Sequence, residues 1–200
     1  MRRRKDFIKN RRSILMFIGT THGIGLTTFA ISLANYLSSY ERKRTCYVEM
    51  NDGTEAITME SDETVLFENT VGFTLNDLDF FPNADEDDLS CIRKMDYDFI
   101  LIDAGVRPIE SIPQNEFDRL FIIGSLRPWK KSSYYAFVNE MKNLETDILQ
   151  GEFFGTLLLK NEKKAFENTF SIAIKELPLL HDPFRLSQND INFMKKLMVL

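Results

Sequence analysis

Residues Ile14 to Leu37 constrain this chain more than any other stretch. Five apolar residues, Ile14-Leu-Met-Phe-Ile18, run into Gly19-Thr-Thr-His-Gly-Ile-Gly25, and an amphipathic pattern follows at once. An apolar run without alternation suits a strand covered on both faces. After the turn, Leu26, Ala30, Leu33, Ala34 and Leu37 recur at helical spacing and give the helix one face for a sheet. A glycine turn between such a strand and such a helix lets successive backbone N–H groups converge on an anion at the helix N-terminus. The pattern G-x-x-x-x-G-K-[ST] asks for a lysine that reaches the β- and γ-phosphates. Here Leu26 stands in its place.

Length and charge narrow the classes. Two hundred residues with 44% hydrophobic content suit one α/β domain with a substantial core. The net charge of −5 argues against a general polyanion binder, so nucleic acid is not an expected partner. The charge is uneven: residues 1–12 carry seven basic side chains against Asp6 alone, a charge of +6, leaving −11 for the remainder. The expected division is a basic arm, 1–12, and a single domain, 13–200. Such an arm either touches an anionic surface (lipid at the inner face of a membrane, nucleic acid or an acidic partner) or, as the simpler expectation, merely stays solvated. Ser13 to Ala34 is uncharged apart from His22, as in an anchor, but its central Gly-Thr-Thr-His-Gly disfavours a membrane helix, and a cytoplasmic location is expected. Cys46 and Cys91 form no disulfide framework and read as small buried hydrophobes. With His22 and His181 far apart, no zinc site is expected.

Further along, Thr45–Met50 reads as a second strand, which makes a βαβ unit and favours a parallel sheet. Val65–Phe67, Phe73–Leu75 and Leu78–Phe81 look like short β pieces of a hairpin or added edge. Asp85–Asp88 opens a helix that Arg93-Lys94 closes. Tyr97–Asp103 is an apolar strand ending on a carboxylate, and Leu120–Gly124 is another buried strand. A long helix with Phe137, Met141, Leu144 and Ile148 on one face follows. Strands are expected at Gly155–Leu159 and Ser171–Ile174, and a last helix capped at Ser187 turns Ile191, Met194 and Leu197 inward. The alternation predicts a three-layer, Rossmann-like α/β architecture with a mostly parallel, doubly wound sheet, and the glycine loop after its first strand makes it resemble a P-loop NTPase. Ligands in such folds bind beyond the carboxyl ends of the strands. Gly19–Thr28, Glu49–Asp52, Asp103–Pro108 and Lys160-Asn161 all read as such ends.

Several residues are candidates for the site. The N–H groups of Gly23, Ile24, Gly25, Leu26, Thr27 and Thr28 form the expected anion nest. The Thr27 hydroxyl is placed to meet Mg²⁺, or to cap the helix, or both. Asp103 is placed to hold that ion or one of its waters, unless it is a turn residue. His22 either bonds a phosphate or packs beside the sheet. Arg107 is the nearest substitute cation, or a solvated loop arginine. Trp129, within Arg127-Pro-Trp-Lys-Lys131, either docks a partner or membrane surface or, as the simpler expectation, is buried under its loop.

FIGTTHGIGLTTFAISLANYL, followed in order by CYVEMND, YDFILIDAG, RLFIIGS and LLLKN, resembles the MinD/ParA family of deviant Walker A ATPases. Within that family it looks most like the CpaE/TadZ branch, which localises and helps assemble Flp/Tad pili. The resemblance implies ATP or ADP with Mg²⁺ as cofactors and protein partners in a pilus or secretion machine; the family's nucleotide-sandwiching dimer needs a signature lysine that is absent here, so a homodimer, if one forms, is expected to be independent of nucleotide. It implies that Asn161 reads the adenine edge, unless Asn161 is a turn former. It also marks departures. The family's signature lysine aligns with Thr21 and the ordinary Walker lysine with Leu26. The two aspartates after the second strand align with Glu49, which keeps a carboxylate, and Asn51, which cannot serve as a base, with Asp52 beside it to compensate. Glu49 and Asp103 are thus the catalytic candidates. A charge-assisted hydrogen bond contributes roughly 1.5–3 kcal/mol, so losing the Walker lysine is expected to weaken nucleotide binding about ten- to a hundredfold if nothing replaces it. Three readings remain: a nucleotide-binding scaffold with weak or no hydrolysis, a partner-stimulated ATPase, and a relic loop in an interaction protein that binds no nucleotide.

Overall fold

The computed structural model describes residues 12–51, 63–67, 70–112, 116–143 and 151–199. The arm before Arg12, together with Asp52, Leu144 and Ile148, lies outside them. In chain order the elements are β1 (Ser13–Gly19), α1 (Leu26–Asn35), β2 (Thr45–Glu49), β3 (Glu63–Phe67), β4 (Thr70–Leu75), β5 (Leu78–Phe81), α2 (Glu86–Ile92) and β6 (Phe99–Asp103). They continue with β7 (Arg119–Ser125), α3 (Lys131–Asn143), β8 (Glu152–Thr156), α4 (Lys160–Phe170), β9 (Ile174–Leu177) and α5 (Gln188–Val199).

Among the described residues the strands form one sheet in the order β3-β4-β5-β2-β6-β1-β7-β8-β9. Every pairing from β5 to β9 is parallel, while β3–β4 and β4–β5 are antiparallel. The short β pieces of 65–81 are therefore an antiparallel edge. Asn76 and Asp77, both at positive φ, make the two-residue turn that sets Leu75 opposite Leu78. β1 lies between β6 and β7, so the connections after its neighbours leave in opposite directions and a crevice opens at its carboxyl end.

Each sheet face carries its own core. Leu15, Phe17, Tyr47, Leu101 and Phe121 point to the layer of α1 and α5. Met16, Val48, Ile102 and Ile122 point to α2, α3 and α4. This is the three-layer α/β arrangement expected. Phe17 stacks on Phe121 at 4.9 Å, and Phe29 meets Phe17 edge-on at 5.6 Å, so rings tie the first turn of α1 to the two central strands.

Local structure departs from expectation in five places. α1 is buried nearly all round, because the 180–186 segment and α5 cover its outer side; Asn35 Nδ2 donates to the Pro183 carbonyl at 2.9 Å. The strand read at Gly155–Leu159 lies three residues earlier. Leu157 adopts φ 52°, which ends the ladder, and Leu157 and Leu159 are exposed. Lys160-Asn161 begins a helix, α4, whose inward residues are Phe166 and Phe170. Ser171 closes that helix in the left-handed conformation, so the strand read at Ser171–Ile174 begins only at Ile174. Cys46 is buried, whereas Cys91 on α2 is only half-buried. The two other helix starts are as read. Asp85 and Asp88 form a reciprocal capping box at α2, and the Asp190 N–H bonds to Ser187 Oγ at α5.

Candidate functional site

The glycine loop is fixed at its root by both flanking strands. The Gly19 N–H donates to the Gly105 carbonyl after β6 at 2.8 Å, and the Thr20 N–H to the Ile123 carbonyl of β7 at 2.9 Å. Gly23 (φ 64°) and Gly25 (φ 81°) then take left-handed conformations that residues with a Cβ resist, and these curl the chain into α1. Gly25 is the N-cap and makes no side-chain cap bond. The first-turn N–H groups of Leu26, Thr27 and Thr28 have no acceptor within the helix and remain available to an anion. Leu26 itself is 8% exposed, and its δ-methyl would lie 3.4 Å from a Cβ at Gly19. The residue standing in the lysine position is thus packed into the core beneath the loop.

Under the loop, Asp103 is completely buried at the end of β6. Its Oδ2 accepts from Thr27 Oγ1 at 2.7 Å and from the Tyr47 hydroxyl at 2.9 Å, and its Oδ1 accepts the Gly105 N–H at 2.9 Å. Three donors on one carboxylate hold it in a single orientation. Burial, and then the Asp103 and Glu49 carboxylates, push the Tyr47 hydroxyl well above its ordinary pKa, so it stays a donor. Thr27 spends its proton on Asp103, which leaves the hydroxyl's lone pairs to face a cation in the cleft. That donor set fits a hard divalent ion bound by the threonine with the aspartate behind it. Among the described residues no cluster of three or more His, Cys, Asp or Glu side chains could hold a metal by itself, so phosphate and water oxygens would complete the shell.

Glu49 is fully buried and pairs in register with Asp103 across β2 and β6. It shares the α1 face of the sheet with Tyr47 and does not line the open cleft. Asn51 does line it. Arg107 reaches the same cleft, with Nε on the Ala104 carbonyl at 2.9 Å and a terminal nitrogen on the Met50 carbonyl at 2.6 Å. It braces the β2 and β6 ends together and still carries donors beyond those two.

The cleft measures about 770 Å³ and runs between loop residues Thr21–Thr28, the Met50-Asn51 turn and Gly105–Pro108. An apolar slot of about 240 Å³ opens on the other side of Gly23–Gly25, between Thr156-Leu157 and Leu177–Leu180. Thr21, Ile24, Gly25, Leu26, Thr27 and Thr28 all line the main cleft, as do His22 and Gly23. The His22 side chain is largely exposed. Asn161 is exposed on the first turn of α4 and lines neither space. Trp129 is 73% exposed rather than buried, because α3 begins just after it and its inward face starts at Tyr134.

Three contributors were missed in sequence. Tyr47 stands within the apolar run of the second strand, and its place two residues before Glu49 puts it on the same face. The last strand runs to Leu177, three residues beyond the end expected, which brings 177–180 beside the loop; Pro178 marks that end in the sequence. Lys130 donates from Nζ to the carbonyls of His22 at 2.8 Å and Gly23 at 2.7 Å, a contact with no local trace in the sequence.

No family model matches the chain, and no curated protein matches it significantly. Solved structures do. A ParA family ATPase from Chlorobium tepidum superposes with a TM-score of 0.65 at 16% identity, covering 84% of each chain. A plasmid partition protein from Borrelia burgdorferi bound to AMPPNP gives 0.59 at 17%, covering 95% of this chain and 98% of that one. The Aquifex aeolicus MinC:MinD cell division complex gives 0.62 at 12%, covering 93% and 96%. The fold is that of the MinD/ParA-type P-loop NTPases. Among the described residues no helix is long and apolar enough to cross a membrane.

Proposed function

We propose that this chain is an atypical nucleotide-binding scaffold of the MinD/ParA type, which binds ATP or ADP with Mg²⁺ weakly and hydrolyses it slowly or not at all. The observation that carries the reading is the Thr27–Asp103 hydrogen bond beneath a glycine loop whose lysine position is filled by the core residue Leu26. The first keeps the means of holding a metal and a phosphate; the second removes the cation that stabilises developing charge in phosphoryl transfer. The phosphates would lie on the Gly23–Thr28 amides, and the apolar 177–180 slot would take the base. The Borrelia partition protein, bound to AMPPNP, supports the choice of nucleotide, and the MinC:MinD complex supports work through protein partners. The resemblance to the CpaE/TadZ branch extends the proposal to placement of a pilus or secretion machine, with a homodimer and a basic arm at the inner face of the membrane. Calorimetric titration with Mg-ATP, and turnover measured at high protein concentration, test it. Weak binding with negligible turnover is the expected result; rapid hydrolysis that needs Asp103 would sink it.

A second reading, a partner-stimulated ATPase, draws on Arg107. Its guanidinium lines the cleft and keeps donors beyond the two carbonyls that it braces. This reading requires that Arg107→Ala abolish any partner-stimulated turnover while the fold survives.

A further inference from the structure

We infer that Asn35 is a positioning residue for the nucleoside part of the ligand, because it pins the 177–183 segment that walls both the cleft and the slot. The inference rests on the nucleotide-binding reading above. Asn35 is the last residue of α1 and is 4% exposed, a primary amide set in an apolar layer. Its Nδ2 donates to the Pro183 carbonyl at 2.9 Å, and its Oδ1 accepts from Ser39 Oγ at 2.8 Å. A carbonyl only accepts, so Pro183 by itself selects the NH₂ end of the amide. Ser39 comes from a π-helical turn, Tyr36–Tyr40, that continues α1 and closes with the Glu41 N–H on the Tyr36 carbonyl at 3.2 Å. Asn35 lines neither space, so it acts on a ligand through Pro183.

The pinned segment meets both sides of the glycine loop. Residues 177–180 form the far wall of the slot, and Pro183 lines the main cleft. Leu180, Phe184 and Leu186 pack the segment onto the α1 layer, and the Phe184 ring lies 6.2 Å from that of Phe80. The Phe184 N–H also donates to Asp182 Oδ1 at 2.9 Å, which shapes the turn around Pro183. Apolar packing is non-directional and holds the segment down without fixing its place along the helix. The Asn35 bond is directional and supplies that register.

α1 thereby serves both halves of a nucleotide. Its first turn offers the N–H groups of Leu26, Thr27 and Thr28 to phosphate. Asn35, about 14 Å further along the axis, sets the wall that a nucleoside meets. One stiff helix fixes the spacing between the two, so less ordering is left for the ligand to impose when it binds. An inorganic polyphosphate uses the first turn alone and gains nothing from the wall.

The test is calorimetric titration of the full chain with Mg-ATP and with inorganic tripolyphosphate. Asn35→Leu keeps the volume and removes the donor. It should bind Mg-ATP about three- to tenfold more weakly, the range of one hydrogen bond, and tripolyphosphate with unchanged affinity. Ser39→Ala leaves the Pro183 bond in place and should keep its affinity for both. An equal loss for both ligands in Asn35→Leu would show a disturbed α1 and overturn the assignment, as would unchanged affinity for Mg-ATP. A loss in Ser39→Ala as large as that in Asn35→Leu would place the effect in the π-helical turn and overturn it too. If wild type binds neither ligand, the nucleotide reading falls and takes the assignment with it. Thermal melts show whether each variant folds. Should Asn35→Leu not fold, hydrogen exchange of the wild-type chain decides: Mg-ATP should slow exchange across 179–182 and tripolyphosphate should not. Equal protection by both ligands, or by neither, would overturn the assignment.

Discussion

At residue scale the site turns on how Asp103 is held. A carboxylate buried among a threonine, a tyrosine and a backbone N–H is stabilised only while those donors face it. Asp103→Asn brings a donor NH₂ to a place built for acceptors. We expect a loss of about 1–3 kcal/mol in urea unfolding, together with loss of any Mg²⁺ dependence of ATP affinity. An unchanged Mg²⁺ dependence would remove Asp103 from the metal's surroundings. Tyr47→Phe leaves two of the three donors in place and should cost less, about 1 kcal/mol by the same measurement. Leu26→Lys tests the loop directly. Its side chain lies under Gly19, from where a longer chain can run along the core and present its ammonium at the loop. Affinity for Mg-ATP should rise about tenfold; a flat titration would mean that the cradle does not take phosphate.

Elements fix how far these residues can shift. β7 presents Gly124 to α3, where a Cβ would come within 2.2 Å of the Tyr134 ring. That ring is fully buried and hydrogen-bonded to β8, so it has no room to retreat. Gly124→Ala should therefore cost about 1–3 kcal/mol by overpacking, seen as a lower Tm, and should loosen the Lys130 turn one helical turn away. Asp85→Ala, far from the site, removes one half of a capping box and should cost about 1 kcal/mol with nucleotide binding untouched. The pair separates elements that position the site from those that only stabilise it.

Over the whole molecule, several phenols are buried as neutral groups. Burial raises Tyr47, Tyr97 and Tyr134 above the ordinary tyrosine pKa, with Asp103 adding to the effect at Tyr47 and Asp79 at Tyr97. In the unfolded chain these hydroxyls ionise near pH 10. Above that value the unfolded state sheds protons that the native state keeps, so stability falls as pH rises. Below it both states are protonated and these groups impose no slope. Circular dichroism melts should show a Tm insensitive to these residues up to about pH 10 and declining beyond it, with phenolate absorbance appearing only as the fold is lost. Phenolate absorbance that precedes unfolding would contradict this burial.

What local sequence determined follows from periodicity. Ile14–Ile18 had to be covered on both faces, Gly19–Gly25 had to turn, and Asp103 closed a strand too apolar to be anything but central. The missing charge at Thr21 and Leu26 was equally plain, since it is a matter of residue identity. Boundaries failed where apolar content misled: Leu157–Leu159 reads as strand, but the positive φ at Leu157 ends the pairing, and the run is a loop into α4. What only the tertiary structure decided is which strand ends meet. Tyr47 reaches Asp103 across 56 residues, the 177–180 segment closes the far side of the loop, and Lys130 arrives from beyond β7. A periodic pattern records which face of an element is buried, not which neighbour buries it. The strand order β2-β6-β1-β7 supplies those neighbours.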